Sequence, residues 1–214
     1  DFEPPGAFGA GALTAGPGAQ FIAEFGPDGS TAWSRSFWPS DGGDLALVDL
    51  AEDLEGRAMA LFSTTGSVMH SSGSISTTGF GLVITFDATG DITHTVSFDD
   101  TPVAWVTDSA EPLIALERED GSQHIARMTT TVSAALLEVP GEVIQLHADP
   151  ISEDFYLMSA TSKDSAQMAL SRHTNDGLVL WSYAFEGTPD ASAFAIGADG
   201  RVFIAASQGH ALMQ

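Results

Sequence analysis

Apolar and polar residues alternate along the chain in short bursts that read as strands. "QFIAEF" (20–25), "GLVITF" (81–86), "HIARM" (124–128) and "QMALSR" (167–172) are each short and apolar-rich, with the near-alternation of a strand. Three of them run into a tight turn, "GPDGS", "DATGD" or "TNDGL", whose Gly and Asp supply positive φ or side-chain capping. A second strand follows: "DGSTAWSRSF" (28–37) returns as "TGDITHTVSF" (89–98) and "DGLVLWSYAF" (176–185), with "SAALLEV" (133–139) in the third unit. Then come a third strand, "LALVDLA", "VAWVTD", "EVIQLHA" or "SAFAIGA", and a fourth, "RAMALFS", "PLIALER", "DFYLMSA" or "RVFIAAS". No long helical period competes with this pattern.

Phe37, Phe98, Val139 and Phe185 mark the repeat, at spacings of 61, 41 and 46 residues. The first interval is long because "VMHSSGSISTTG" (68–79) adds a Ser/Thr/Gly-rich stretch, read as a loop. Four strands per unit, four times over, predict an all-β fold: a β-propeller of four-stranded antiparallel blades, about four of them visible. The expected boundaries are a Gly/Pro-rich linker or partner strand at 1–18, a first blade at 19–67, the loop at 68–79, further blades at 80–120, 121–163 and 164–208, and the start of another strand at 209–214. Two continuations fit: a segment of a larger propeller, which is favoured, or pairing of the terminal strands to close a small ring. A single blade cannot bury both faces, so neighbours must stack. Trp33 and Trp181 hold one repeat position, occupied by His94 and Ala135 in the other units, and are expected to fill the gap between blades. Trp105, in a third strand, is expected in the core, and His94 in the core or at half exposure.

The run "GALTAGPGAQFIAEFGPDGSTAWSRSF" resembles the bacterial SBBP-type β-propeller repeats, which join a Gly-rich segment, an apolar strand, a turn and a "W-S-R-F" strand. That resemblance spans essentially the whole chain and implies a secreted or surface-associated scaffold or recognition module. One departure is Glu24, where the family carries lysine. "NDGLVLWSYAF" also resembles the "TG-x-x-x-W" repeat of pyrroloquinoline quinone dehydrogenases and the cofactor-free lipoprotein propellers of outer-membrane assembly. The dehydrogenases need a basic residue on the quinone and often a vicinal cysteine pair. With no cysteine and a single lysine, Lys163, outside the repeat motif, the cofactor-free reading is the better one.

Composition narrows the partners. Asp+Glu number 29 against 7 Lys+Arg, for a formal net charge of -22, which repels phosphate backbones and anionic lipid. Nucleic acid and membrane insertion are therefore not expected, and no stretch approaches the roughly 20 apolar residues of a membrane-spanning helix. An extracytoplasmic location fits the acidity. The absence of cysteine removes disulfides, thiolate metal sites and cysteine nucleophiles.

Chemistry is sparse. The turn carboxylates Asp28, Asp87, Asp91, Asp120, Asp176 and Asp199, and the pair Asp99 and Asp100, form no EF-type ligand ladder, so Ca²⁺ has weak support and no cofactor is expected. Histidines 70, 94, 124, 147, 173 and 210 lack metal-ligand spacing. No G-x-S-x-G elbow occurs, and no catalytic residue is named. In "FWPSDGG", Trp38 breaks the repeat in what reads as a loop beside Asp41 and Asp44, and an indole next to carboxylates suits a sugar ring. The functional expectation is thus a non-catalytic scaffold or recognition module for a protein or cell-surface polymer. A lectin-like carbohydrate-binding propeller is the alternative, and an enzyme with an axial site comes third.

Overall fold

A computed structural model describes residues 16, 18–40, 42–107, 112–128, 131–161, 167–186 and 192–206. The described residues form eighteen strands and no helix. They are β1 (Gln20–Phe25), β2 (Thr31–Pro39), β3 (Leu45–Glu52), β4 (Ala58–Thr64), β5 (Val68–His70), β6 (Gly73–Ile75), β7 (Gly81–Phe86), β8 (Ile92–Phe98) and β9 (Thr101–Val106). There follow β10 (Leu113–Glu117), β11 (Gln123–Met128), β12 (Val132–Val139), β13 (Glu142–Ala148), β14 (Phe155–Ala160), β15 (Gln167–His173), β16 (Val179–Glu186), β17 (Ser192–Ile196) and β18 (Val202–Ala206). The chain divides into two compact units, one through Pro102 and one from Val103.

The first unit holds two four-stranded sheets, in the orders β1-β2-β5-β6 and β3-β4-β7-β8. In the second, β9 to β12 form one four-stranded sheet in chain order, β13 to β16 form another, and β17 pairs with β18. Four-stranded antiparallel sheets stacked face to face within each unit are the blades of a propeller fold, as the strand pattern predicts.

Their phase differs from the sequence reading. Each complete blade joins the third and fourth strands of one repeat to the first and second strands of the next, so the expected boundaries fall inside sheets. The one at 120/121 cuts the β10–β11 hairpin. There Arg118 N donates to Ser122 O at 2.9 Å, Gly121 sits at φ +80, and Asp120 accepts from Ser122 N at 2.9 Å. Tight-turn chemistry marks this hairpin as clearly as those taken to lie within a unit, so turn residues alone could not set the phase. The crossing to a new sheet comes instead at links such as Pro140-Gly141. A Cβ on Gly141 would meet Ala160 O at 1.9 Å, because the entering chain runs against the next strand's end.

A second correction concerns residues 68–79. They are not only a loop: β5 pairs with β2, matching Trp38 to Met69, and β6 pairs back on β5. This hairpin extends the first sheet beyond the repeat.

The apolar faces meet between sheets. In the first unit, Trp33 and Phe37 of one sheet pack with Phe62, Leu82, Ile84 and Phe86 of the other. In the second, Ile125 and Leu113 pack with Phe155 and Leu157, and Tyr156, Met158 and Leu170 pack with Phe194 of β17. Each large buried apolar side chain contributes roughly 1.5–3 kcal/mol relative to exposure.

Polar clips repeat between neighbouring sheets. Gln123 Oε1 accepts Val143 N at 2.6 Å, Gln145 Oε1 accepts Phe194 N at 2.8 Å, and Gln20 Nε2 donates to Leu45 O at 3.4 Å. Gln20 and Gln123 both open the first strand of a repeat, a recurrence that sequence reading missed although "Q" stands at 20, 123 and 167. Arginines do the same at the rim. Arg35 reaches Thr89 O at 3.0 Å and Asp91 at 2.9 Å, and Arg127 donates to Asn175 O.

Candidate interaction surface

Trp38, Asp41 and Asp44 are the residues singled out from sequence. Trp38 lies in strand β2 rather than in a loop and is half-buried, and a side chain at Gly16 would meet its Cδ1 at 3.0 Å. Asp44 is exposed, and its backbone exchanges bonds with Thr65 at 2.8 and 3.0 Å. Asp41 lies outside the described residues. No hydrogen bond or ring contact joins Trp38 to Asp44. An open groove of about 430 Å³ elsewhere in the first unit is lined by Glu24, Leu50, Ala51, Glu52, Gly56 and Ala58. Glu24 in it is already held, accepting Trp33 Nε1 at 2.5 Å.

The repeat tryptophans have different fates. Trp33 is 2% exposed, stacks on Phe86 with ring centroids 5.3 Å apart, and is covered by the β7–β8 turn, where a Cβ on Gly90 would fall 2.4 Å from its ring. This is the interblade packing expected of it. Trp105 is buried, also as expected, whereas His94 is exposed. Trp181, equivalent to Trp33, is 39% exposed.

Beneath Trp181 lies a set of ion pairs and ring contacts. Tyr156, Arg172 and Trp181 are cross-strand neighbours on β14, β15 and β16, so their side chains share one face. Arg172 is bound to Asp149 at 2.7 Å and Asp154 at 2.9 Å, and its guanidinium lies over Tyr156 at 5.7 Å. Tyr156 meets the Trp181 ring edge-on at 5.9 Å. Asp149 has a side chain only 2% exposed, so Arg172 neutralises a carboxylate that would otherwise be buried unpaired. Burial, reinforced by Asp149, raises the Tyr156 hydroxyl above its usual range.

Around this platform lies bare apolar surface. Leu178, Val179, Leu180 and Tyr183 are exposed with Trp181, so both faces of β16 are open. Strands β17 and β18 pack over the β13–β14 side of the sheet, through Phe194 against Tyr156 and Met158, and β18 itself exposes Phe203 and Ile204. Among the described residues β18 borders only β17. Exposed apolar residues on an edge strand mark an interaction site or an aggregation hazard. Among the described residues no three His, Asp or Glu side chains cluster as metal ligands.

No protein-family profile matches the chain, and no curated protein matches it. Among solved structures, it resembles BBS1N from a crystal structure of its complex with ARL6DN soaked with lead: 9% identity and a TM-score of 0.49, over 86% of this chain and 61% of that one. A protein of unknown function from Bacteroides caccae resembles it at 11% identity and a TM-score of 0.23, over 77% of this chain and 90% of that one. The chain thus spans about three fifths of BBS1N. Likenesses this remote transfer no partner.

Proposed function

We propose that the protein is a non-catalytic recognition scaffold that binds a protein partner, within an extracytoplasmic assembly, on the surface formed by β16 and the edge of β18. The observation that carries this reading is the exposed, largely apolar run Leu178 to Tyr183, together with a β18 that borders only β17 among the described residues. A net charge of -22 keeps such a surface soluble and disfavours acidic partners. The extracytoplasmic setting rests on the acidity and on the repeat resemblance.

The test is affinity with a pure partner. A protein captured from the extracytoplasmic fraction of the source would be remade and titrated by calorimetry against the native chain and a Trp181→Ser/Tyr183→Ser variant. A tenfold or greater loss of affinity in the variant supports the reading, and equal affinity sinks it. A glycan array run on the same two proteins decides the surface-polymer version: binding there that ignores both substitutions would point away from β16.

A further inference from the structure

We propose that the β5–β6 hairpin is a pH-released strap: it clasps the two sheets of the first unit together near neutral pH, and its tip lifts off β2 when His70 takes up a proton.

Connectivity makes the strap. β4 and β7 pair directly in the middle of the second sheet, from Ser63 opposite Gly81 to Met59 opposite Thr85. Between them the chain leaves that sheet, adds β5 and β6 to the first sheet beyond β2, and returns. The base of this excursion is stapled. Val68 is fully buried, Ser40 N donates to Ser67 O at 2.9 Å, Thr64 N donates to Phe80 O at 2.9 Å, and Thr77 Oγ1 donates to Gly66 O at 2.7 Å. The tip is held by less. Past Val68, Met69 and His70 pair with Trp38 and Phe37 of β2, and residues 71–74 beyond them are exposed. A short ladder with few buried contacts is the kind of segment that opens locally while the rest of the fold stays closed.

His70 stands where a proton acts on that tip. It is half-buried at the last rung of β5, with its ring centroid 6.3 Å from that of Phe37, and among the described residues no side-chain hydrogen bond holds the imidazole. Burial, and after it the Arg35 guanidinium on the neighbouring strand, hold His70 below the ordinary 6.5. Arg35 already spends its own charge on the β7–β8 turn, reaching Thr89 O at 3.0 Å and Asp91 at 2.9 Å. The hairpin itself brings no carboxylate. From Ala58 to Phe86 the sequence has no Asp, Glu, Lys or Arg, in a chain with 29 acidic residues. Among the described residues Arg35 is the one charged side chain that acts on the imidazole, and Asp87, Asp91 and His94 of the β7–β8 hairpin packed against this sheet do not.

A docked hairpin therefore takes up a proton less readily than a lifted one. The clasp is complete above 6.5 and weakens as pH falls below it, until His70 is charged in both states. Lifting uncovers the edge of β2 at Phe37 and Trp38, which the hairpin otherwise caps.

Amide hydrogen exchange by NMR on the whole chain, corrected for the intrinsic rate, tests this at about pH 7.5 and about pH 5. Protection of the β5 amides and of Trp38 should fall about threefold or more in acid, since each pKa unit between docked and lifted His70 is worth tenfold. Val83 and Ile84 on β7 report global opening and should change by less. His70→Gln should keep the β5 protection constant across the same range. The His70 ring proton, followed through the titration, should give a midpoint below 6.5, and Arg35→Gln should raise that midpoint. This second variant leaves the hairpin sequence intact, so the test holds even where His70→Gln fails to fold. Unchanged β5 protection in the native chain, an equal loss in His70→Gln, a loss matched on β7, or a native midpoint at or above 6.5 would each overturn the proposal.

Discussion

Replacing Gly90 with alanine measures how much an indole seated on a turn contributes to joining two sheets. Gly90 holds φ +75, and the added Cβ would lie 2.4 Å from Trp33 Cδ2, 2.6 Å from Cγ and 2.7 Å from Cε3. Gly29 holds φ +80 in the same kind of turn with nothing within 4 Å, so it is an internal control. Both substitutions force an L-residue into the left-handed region, at about 1–2 kcal/mol. Only Gly90→Ala adds an overlap. Trp33 can relieve it only by sliding off Phe86, and overpacking of this kind costs about 1–3 kcal/mol more. The expected losses are therefore about 2–5 kcal/mol for Gly90→Ala and about 1–2 for Gly29→Ala. Urea unfolding followed by far-UV circular dichroism, at protein concentrations too dilute for association, reads the difference. With a slope of about 2 kcal/mol per molar, the midpoints should separate by roughly 0.5–1.5 M. Adding Trp33→Ala to Gly90→Ala should erase the overlap term, leaving a coupling of about 1–3 kcal/mol between the two sites. Equal midpoints for the two glycine variants would refute the idea that the turn bears on the ring.

The remaining predictions concern the clips and the titrating groups. Gln123→Ala should cost about 1–3 kcal/mol by leaving the buried Val143 amide without its acceptor, and that amide should exchange its hydrogen faster in NMR. Arg172→Met should cost about 3–5 kcal/mol by stranding Asp149, whereas Arg201→Met, breaking an exposed pair with Asp199, should change stability by less than about 1 kcal/mol in the same urea unfolding assay. Hydrogen bonds from Ser30, Thr89 and Ser122 hold the carboxyls of Asp28, Asp87 and Asp120 below their ordinary 3.8. Their contribution is complete above 3.8 and lost as pH falls through the lowered folded values, because the unfolded chain protonates first. An Asp28/Asp87/Asp120→Asn variant should show a shallower acid decline, and an unchanged slope would count against this. Burial lowers His173 below 6.5, so it stays neutral in the fold while the unfolded chain takes up a proton, and stability should fall as pH drops below 6.5. His173→Phe, which keeps the stack on Phe155, should flatten that part of the pH profile.

The strand content and tight turns were legible because alternation and Gly/Asp turn chemistry are local properties. Gly29, Gly90 and Gly177 stand at φ +80, +75 and +82, as their turns require. The phase of the sheets was not legible. A strand's neighbours depend on which of two consecutive links crosses to a new sheet, and "EDGS" inside a blade uses the same residues as "PDGS". The hairpin β5–β6 was hidden in a Ser/Thr/Gly-rich stretch because its few ladder bonds need little apolar surface. From sequence Trp38 reads as an exposed loop residue because it departs from the repeat. That departure reflects the continuation of β2 to Pro39, where it pairs with β5. Sequence rightly assigned Trp33 to the gap between blades, but it could not separate Trp33 from Trp181. The residue and its strand are alike, and the difference lies in what the next sheet supplies.

That difference follows from the phase. Each complete blade takes two strands from one repeat and two from the next, so a tryptophan on the second strand of a repeat faces a hairpin belonging to the repeat after it. Trp33 has such a cover in β7–β8. Over the β13–β16 sheet, β17 and β18 bring the third and fourth strands of a repeat, which cover β13 and β14 and leave β16 bare.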